Sequence, residues 1–336
     1  MPAFDSMFVI VCVVVVLALA FDFINGFHDT ANAIAASVST RAMTPRMAII
    51  LVAVMNFVGA ILFTGVAKTI GGKVADPATL THGVQIVIAT LISAIAWNLI
   101  TWWYGIPSSS SHTLIGSLAG AVIASEGFGG VNASGFTSIV QALVFSPIIA
   151  FAAGYIVMTL LKLIFARANP HLVNKGFRSM QILTAAFQSF THGTNDAQKA
   201  MGIITMALVA AQYQDSLEVP LWVKFSAALA MALGTSVGGW KIIKTMGTKI
   251  FKIEPVNGFA ADTTAASVIM TATATGLPVS TTHVITSAIL GVGSAKRFSS
   301  VNWGVAGRIV SAWIITIPIS AVIAAIVFKI IEFLFL

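Results

Sequence analysis

Two polar motifs lie inside long apolar runs of this chain, and each occurs twice. Residues 25–35 read NGFHDTANAIA, and residues 192–202 read HGTNDAQKAMG. Residues 105–112 read GIPSSSSH, and residues 276–283 read GLPVSTTH. The copies follow in the same order, at offsets of 167 and 171 residues. Polar side chains at membrane depth are costly and mark ion or substrate pathways. A polar site present in both halves of an apolar chain is the pattern of a secondary transporter.

The hydroxyl motif suits anions. In each copy Gly and Pro precede a Ser/Thr cluster, and a helix of small residues follows (LIGSLAGAVIA and VITSAILGVGS). Ser and Thr cap helix N-termini, and Pro is tolerated in the first turn. A helix that begins inside the membrane presents free N–H groups and the positive end of its dipole. Two such starts facing each other would grip a tetrahedral oxyanion, phosphate or sulfate, from both sides.

The acidic motif suits cations. Asp22, Asn25, Asp29 and Asn32 recur every three or four residues and share one helical face. Carboxylates and amides are hard oxygen ligands, fitted to Na⁺ or another hard cation. Gly26 is expected to unwind the helix there and free carbonyls as further ligands. The second copy supplies Asn195 and Asp196. His28 aligns with Asn195, and Asn32 aligns with Lys199, a lysine placed to stand in for a bound cation or to pair with the anion. His28, His112, His192 and His283 titrate near neutral pH when unperturbed, so any is a candidate proton carrier. Asn257 and Asp262 are further candidate ligands; the counterpart of Asp262 near residue 91 is leucine.

The elements that must position these groups are membrane helices. The chain of 336 residues is 57% hydrophobic and 9% charged, against about 25% charged in soluble domains. Runs long enough to cross a bilayer recur throughout. The first, FVIVCVVVVLALAF, lacks a basic flank and leads directly into Asp22, so it reads as a retained membrane helix. The net charge of +7 reflects basic cytoplasmic loops rather than a nucleic-acid partner, because no basic run or nucleic-acid motif accompanies it. Cys12, the single cysteine, excludes an internal disulfide.

The fold expected is an all-α polytopic membrane protein of two inverted-topology repeats. The repeats span residues 1–166 and 179–336, joined by a cytoplasmic linker at 167–178. About ten to twelve passages are expected, with both termini outside. The glycine-rich segments 105–125 and 276–295 are candidates for re-entrant hairpins. Lys68, Lys73 and Lys224 fall on the outer side, against the trend. Gly116 and Gly120 are spaced for close helix packing.

The blocks GFHDTANAIA and HGTNDAQKAMGII, with the paired PSSSSH and PVSTTH, closely resemble the inorganic phosphate transporter (PiT) family along essentially the whole chain. The resemblance implies inverted repeats, a homodimer in the plasma membrane, and symport of inorganic phosphate with Na⁺ or H⁺. It implies phosphate ligands Ser109, Ser110, Ser111, Ser280, Thr281 and Thr282. It implies cation ligands Asp22, Asn25, Asp29, Asn195 and Asp196, to which the alignment adds His28, Asn32 and Lys199 as coupling residues. Sodium-coupled members read GANDVANA in the first block and Ala-Asn where this chain has Gln198-Lys199. The departures resemble the bacterial low-affinity branch and point to protons, with phosphate carried free or as a neutral metal complex. No cofactor beyond the coupling cation is implied, and the motifs assign no metal site either way.

Three other readings are weighed, one of them a passive channel, which saturable and concentrative uptake would exclude. A sulfate or related oxyanion permease would use the same cradle. An intramembrane hydrolase using Ser111 and His112 fails, because adjacent helical residues do not face each other and no G-x-S-x-G elbow exists.

Overall fold

The computed structural model describes residues 6–335, and these are helical with no strand. A long helix α1 (Ser6–Ser39) leads to α2 (Pro45–Leu62) and a short α3 (Gly65–Lys73). Then α4 (Gly83–Tyr104) and α5 (Ser110–Glu126) form a hairpin, and α6 (Ala133–Ile164) closes the first half. The order then repeats. A long α7 (Pro170–Ala210) leads to α8 (Leu221–Val237) and a short α9 (Trp240–Lys244), which runs into a π-turn at Thr245–Lys249. A hairpin of α10 (Pro255–Ala274) and α11 (Thr281–Lys296) follows, then α12 (Trp303–Phe335).

Local sequence sets these boundaries. Thr44, Asn132 and Asn169 each cap the helix that follows through a side-chain oxygen. The hairpins turn at Gly105 and Gly276, both left-handed with φ of 64° and 67°, a conformation that glycine adopts without Cβ strain. Pro147 and Pro318 sit inside α6 and α12 at matching positions.

Among the described residues, five helices are long and apolar enough to cross a membrane: α1, α2, α4, α6 and α12. The bent pair α8 and α9 with its π-turn, angled at 66°, makes a sixth if taken as one span. The count of ten to twelve therefore does not emerge from length and composition. One reason is that α5 and α11, at 17 and 16 residues, are about 25 Å long, shorter than a hydrocarbon core of about 30 Å. Another is that α7 and α10 carry many polar residues within otherwise apolar sequence.

The bundle has two ends. At one, Gly135 packs on the Lys73 carbonyl, Gly83 on Ala210, and Gly72 on Leu217. At the other, Gly247 packs on Ser39, Phe177 meets both Phe165 and Phe259, and Lys162 donates to the Ala295 carbonyl. The second end holds Arg41, Lys162, Arg167, Lys249, Lys252, Lys296 and Arg297. At the first end Lys68 lies 2.5 Å from Glu218, and this ammonium holds the Glu218 carboxyl below the usual range.

Each hairpin hangs from a different end. The Thr81 N–H, just before α4, donates to Glu126 at the end of α5 (3.1 Å). Glu254, at the start of α10, pairs with Lys296 at the end of α11 (2.7 Å). The two turns meet in the interior, where Ser111 Oγ donates to the Val279 carbonyl at 2.8 Å. Helices α5 and α12 pack closely, because a Cβ on Gly116 or Gly120 would fall against Ser320, Ile317 and Ala321.

Gly26 does not unwind its helix. α1 runs unbroken from Ser6 to Ser39, so no backbone carbonyls are freed. Gly26 instead lets α8 approach: a Cβ there would lie 2.4 Å from the Met231 carbonyl oxygen. Gly193, its counterpart on α7, seats Asn56 of α2 in the same way.

Candidate functional site

The two long helices carry the acidic motifs past the tips of the hairpins. Asp22, Asn25, His28, Asp29 and Asn32 on α1 are buried, as are His192, Asn195, Asp196 and Lys199 on α7. The hydroxyls of both hairpin helices, Ser109 to Ser111 and Ser280 to Thr282, are buried beside them.

The motifs engage each other directly. Ser110 Oγ donates to Asp29 Oδ2 and accepts from Lys199 Nζ at 2.7 Å. Thr282 Oγ1 lies 3.1 Å from Asp29 Oδ1 and accepts from Asn32 Nδ2 at 2.8 Å. Thr281 Oγ1 donates to Asp196 Oδ2 at 3.1 Å, and Lys199 Nζ lies 3.0 Å from the same oxygen. Residues of α1, α5, α7 and α11 thus form one connected cluster.

The remaining predicted residues have distinct placements. Ser109 and Ser280 cap their helices, accepting from the backbone N–H of His112 and His283. Ser111 holds the opposite hairpin. Asn195 braces the turn of that hairpin, donating to Thr273 Oγ1 at 3.1 Å and reaching the Leu277 carbonyl at 3.4 Å. Asn25 lies on the buried face of α1, where its side chain engages Asp22. Asn257 closes a capping box with Glu254 at the start of α10. Asp262 faces Gln181 and Thr184 of α7.

The four histidines divide into two pairs. His28 Nδ1 lies 2.7 Å from Asp29 Oδ1, and its Nε2 lies 3.1 Å from Thr101 Oγ1. His192 Nε2 lies 3.3 Å from Asp196 Oδ2, and its Nδ1 3.1 Å from Asn56 Oδ1. These two reach the carboxylates. His112 and His283 lie behind the hairpin tips, with ring centroids 4.3 Å apart. Trp313 of α12 stacks on His283 at 3.8 Å and donates to the Pro107 carbonyl at 3.1 Å, so one side chain touches both hairpins.

Three carboxyl groups, Asp22, Asp29 and Asp196, are buried with one lysine, Lys199, and with His28 and His192 beside two of them. Beyond the contact of Asp22 with Asn25, neither side chain has a hydrogen-bond partner, nor do Asn32 Oδ1 and Asp196 Oδ1. Buried polar groups are normally satisfied, and an unpaired buried charge is expensive. The arrangement offers an oxygen-rich pocket for cations beside a hydroxyl-rich pocket for an anion. No group of three or more His, Cys, Asp or Glu is placed to hold a metal ion among the described residues.

The profile of the phosphate transporter family matches residues 25–175 and 166–324, which include both acidic motifs and both hairpins. The chain belongs to the phosphate transporter family. It is 60% identical to a probable low-affinity inorganic phosphate transporter of Bacillus subtilis, over 98% of this chain and 100% of that one. It is 47% identical to a probable low-affinity inorganic phosphate transporter of Rhizobium meliloti, over 93% of each. A solved structure of a sodium-dependent phosphate transporter superposes with a TM-score of 0.91 at 26% identity, covering 97% of this chain and all of that one. Like its family, the chain is a multi-pass plasma-membrane protein.

Sequence reasoning missed Thr101, Asn56, Thr273 and Trp313. The first three are polar residues in apolar stretches, a signal that was available. Trp313 carries no such signal, because tryptophan is ordinary in a membrane helix.

Proposed function

We propose that this protein imports inorganic phosphate by cation symport, with protons as the coupling cation. One observation carries the reading: Asp29 and Asp196 are each hydrogen-bonded by hydroxyls of the hairpin helix starts, so cation and anion ligands share one cluster. Phosphate lies between the tips, held by Ser110, Ser111, Thr281 and Thr282. His28 against Asp29 supports protons as the driver. A neutral metal–phosphate complex is the form of substrate that needs least compensation. A dianion entering a negative interior is opposed by about 2.3 kcal/mol per charge per 100 mV.

The sodium reading has its own support. The superposing neighbour is named sodium-dependent, and the buried oxygens of Asp22, Asn25 and Asn32 suit Na⁺.

Two inverted repeats, 1–166 and 179–336, fit the architecture. Each half has three long elements, α1, α2 with α3, and α6, or α7, α8 with α9, and α12. Each also has one hairpin whose open end stays on a single side. A hairpin adds an even number of crossings, so an odd total per half inverts the second copy. The basic end is then cytoplasmic. Alternating access would rock the repeats around the fixed site. A homodimer is the assembly proposed.

Labelled phosphate uptake into proteoliposomes, under separately imposed pH and Na⁺ gradients, tests the reading. Accumulation under a pH gradient alone is expected. Accumulation only with inward Na⁺ would replace protons by sodium, and no accumulation under either would reject symport.

A further inference from the structure

The offset that relates the acidic motifs pairs four residues of α1 with four of α7: Asp22 with Ser189, Asn25 with His192, Asp29 with Asp196, and Asn32 with Lys199. The two sets differ in charge. The α1 set has two carboxylates and two amides. Beyond the contact of Asp22 with Asn25, these two side chains and Asn32 Oδ1 have no partner, although the residues are at most 1% exposed. The α7 set has one carboxylate with Lys199 at 3.0 Å and Thr281 at 3.1 Å on Oδ2, His192 Nε2 3.3 Å from the same oxygen, and Oδ1 without a partner. Ser189 donates to the Ala185 carbonyl at 2.6 Å and offers no charge. The first set lacks a cation, and the second already contains one.

We propose that Lys199 is a tethered cation, whose ammonium fills in the second half the place that a mobile cation takes in the first. The proposal rests on the reading above that the α1 motif binds the coupling cation. An ammonium between Asp196 and Ser110 supplies positive charge to both the acidic and the hydroxyl parts of the site, as a bound ion would. Unlike an ion it is never released, so it draws nothing from a gradient. Residue 199 therefore sets how many cations travel with each phosphate. With lysine the α7 half contributes none.

Replacing the lysine by the residue of the other half tests this. K199N leaves Asp196, Ser110 Oγ, Thr281 Oγ1 and a new amide oxygen, a hard-oxygen set suited to Na⁺. Phosphate uptake by K199N in proteoliposomes should rise about tenfold when external choline is exchanged for Na⁺, a difference of about 1.4 kcal/mol. Wild type should respond at least tenfold less to this exchange, and K199N should carry one more cation per phosphate. In detergent, Na⁺ should raise the melting temperature of K199N and not that of wild type, a readout that survives loss of transport. K199R should keep the wild-type ion dependence. If K199N is not recovered folded, K199Q carries both measurements. Equal sodium dependence and equal thermal response in wild type and variant would overturn the tethered cation while leaving symport intact. Absence of phosphate uptake by wild type would instead overturn the transport reading beneath it.

Discussion

Ser110 Oγ donates to Asp29 of the first acidic motif and accepts from Lys199 of the second, at 2.7 Å. A single hydroxyl at a hairpin tip thus joins the acidic groups of both halves. Changing any of the three should affect the others, because groups in one hydrogen-bond network do not act additively.

The two central carboxylates should fail differently. Asp29→Asn and Asp196→Asn are both expected to abolish coupled uptake. Asn at 29 keeps one acceptor oxygen, so only one of Ser110 and Thr282 can still donate to it, at a cost of about 1–3 kcal/mol. Asn at 196 leaves the fully buried Lys199 without its counter-charge, at about 3–5 kcal/mol. Thermal unfolding in detergent should show the Asp196 variant melting well below the Asp29 variant. Wild-type uptake from either would defeat the cation site.

Phosphate affinity should depend on both hairpins at once. Ser110→Ala with Thr281→Ala removes one hydroxyl from each helix start. Hydrogen bonds to charged groups contribute about 1.5–3 kcal/mol each, so the double variant should raise the phosphate KM more than tenfold. Initial-rate uptake from membranes of matched protein content measures this. An unchanged KM sinks the hairpin cradle. Unlabelled sulfate should compete poorly, and strong competition would favour a general oxyanion site.

Trp313 should matter as a ring more than as a donor. Trp313→Phe keeps a stacking surface for His283 and loses the bond to Pro107, at about 1 kcal/mol. Trp313→Ala also empties the space behind both tips, at about 3–5 kcal/mol. Melting temperatures of the two variants decide; equal effects would show that the stack holds nothing.

Small residues where α5 meets α12 should be intolerant of growth. A Cβ on Gly120 would lie 2.1 Å from the Ala321 carbonyl oxygen, with backbone on the opposing side that cannot swing away. Gly120→Ala should cost about 1–3 kcal/mol. Gly129, with nothing within 4 Å, supplies the control, and Gly129→Ala should leave the melting temperature unchanged.

Much of the site was legible in the sequence because polar residues in apolar runs have few explanations. The spacing of Asp22, Asn25, Asp29 and Asn32 predicted one face of a helix, and all four are buried on α1. The Pro-hydroxyl motifs predicted helix starts, and Ser109 and Ser280 are the caps. Gly26 misled because glycine serves both as a breaker and as a site of close approach, and only the neighbour at Met231 distinguishes them. The passage count was not legible, because a hairpin with a short second helix and two full passages have the same apolar pattern.

The chemistry was determined by the sequence alone: which residues are acidic, which carry hydroxyls, and that each motif is duplicated. Residue type and periodicity are local properties, and they survive without a partner. Which groups meet was decided only in three dimensions. Lys199 reaches Ser110 across 89 positions, Thr282 reaches Asp29 across 253, and Trp313 reaches Pro107 across 206. Such pairings depend on how the helices cross and how closely their small residues let them approach, and no local pattern encodes that.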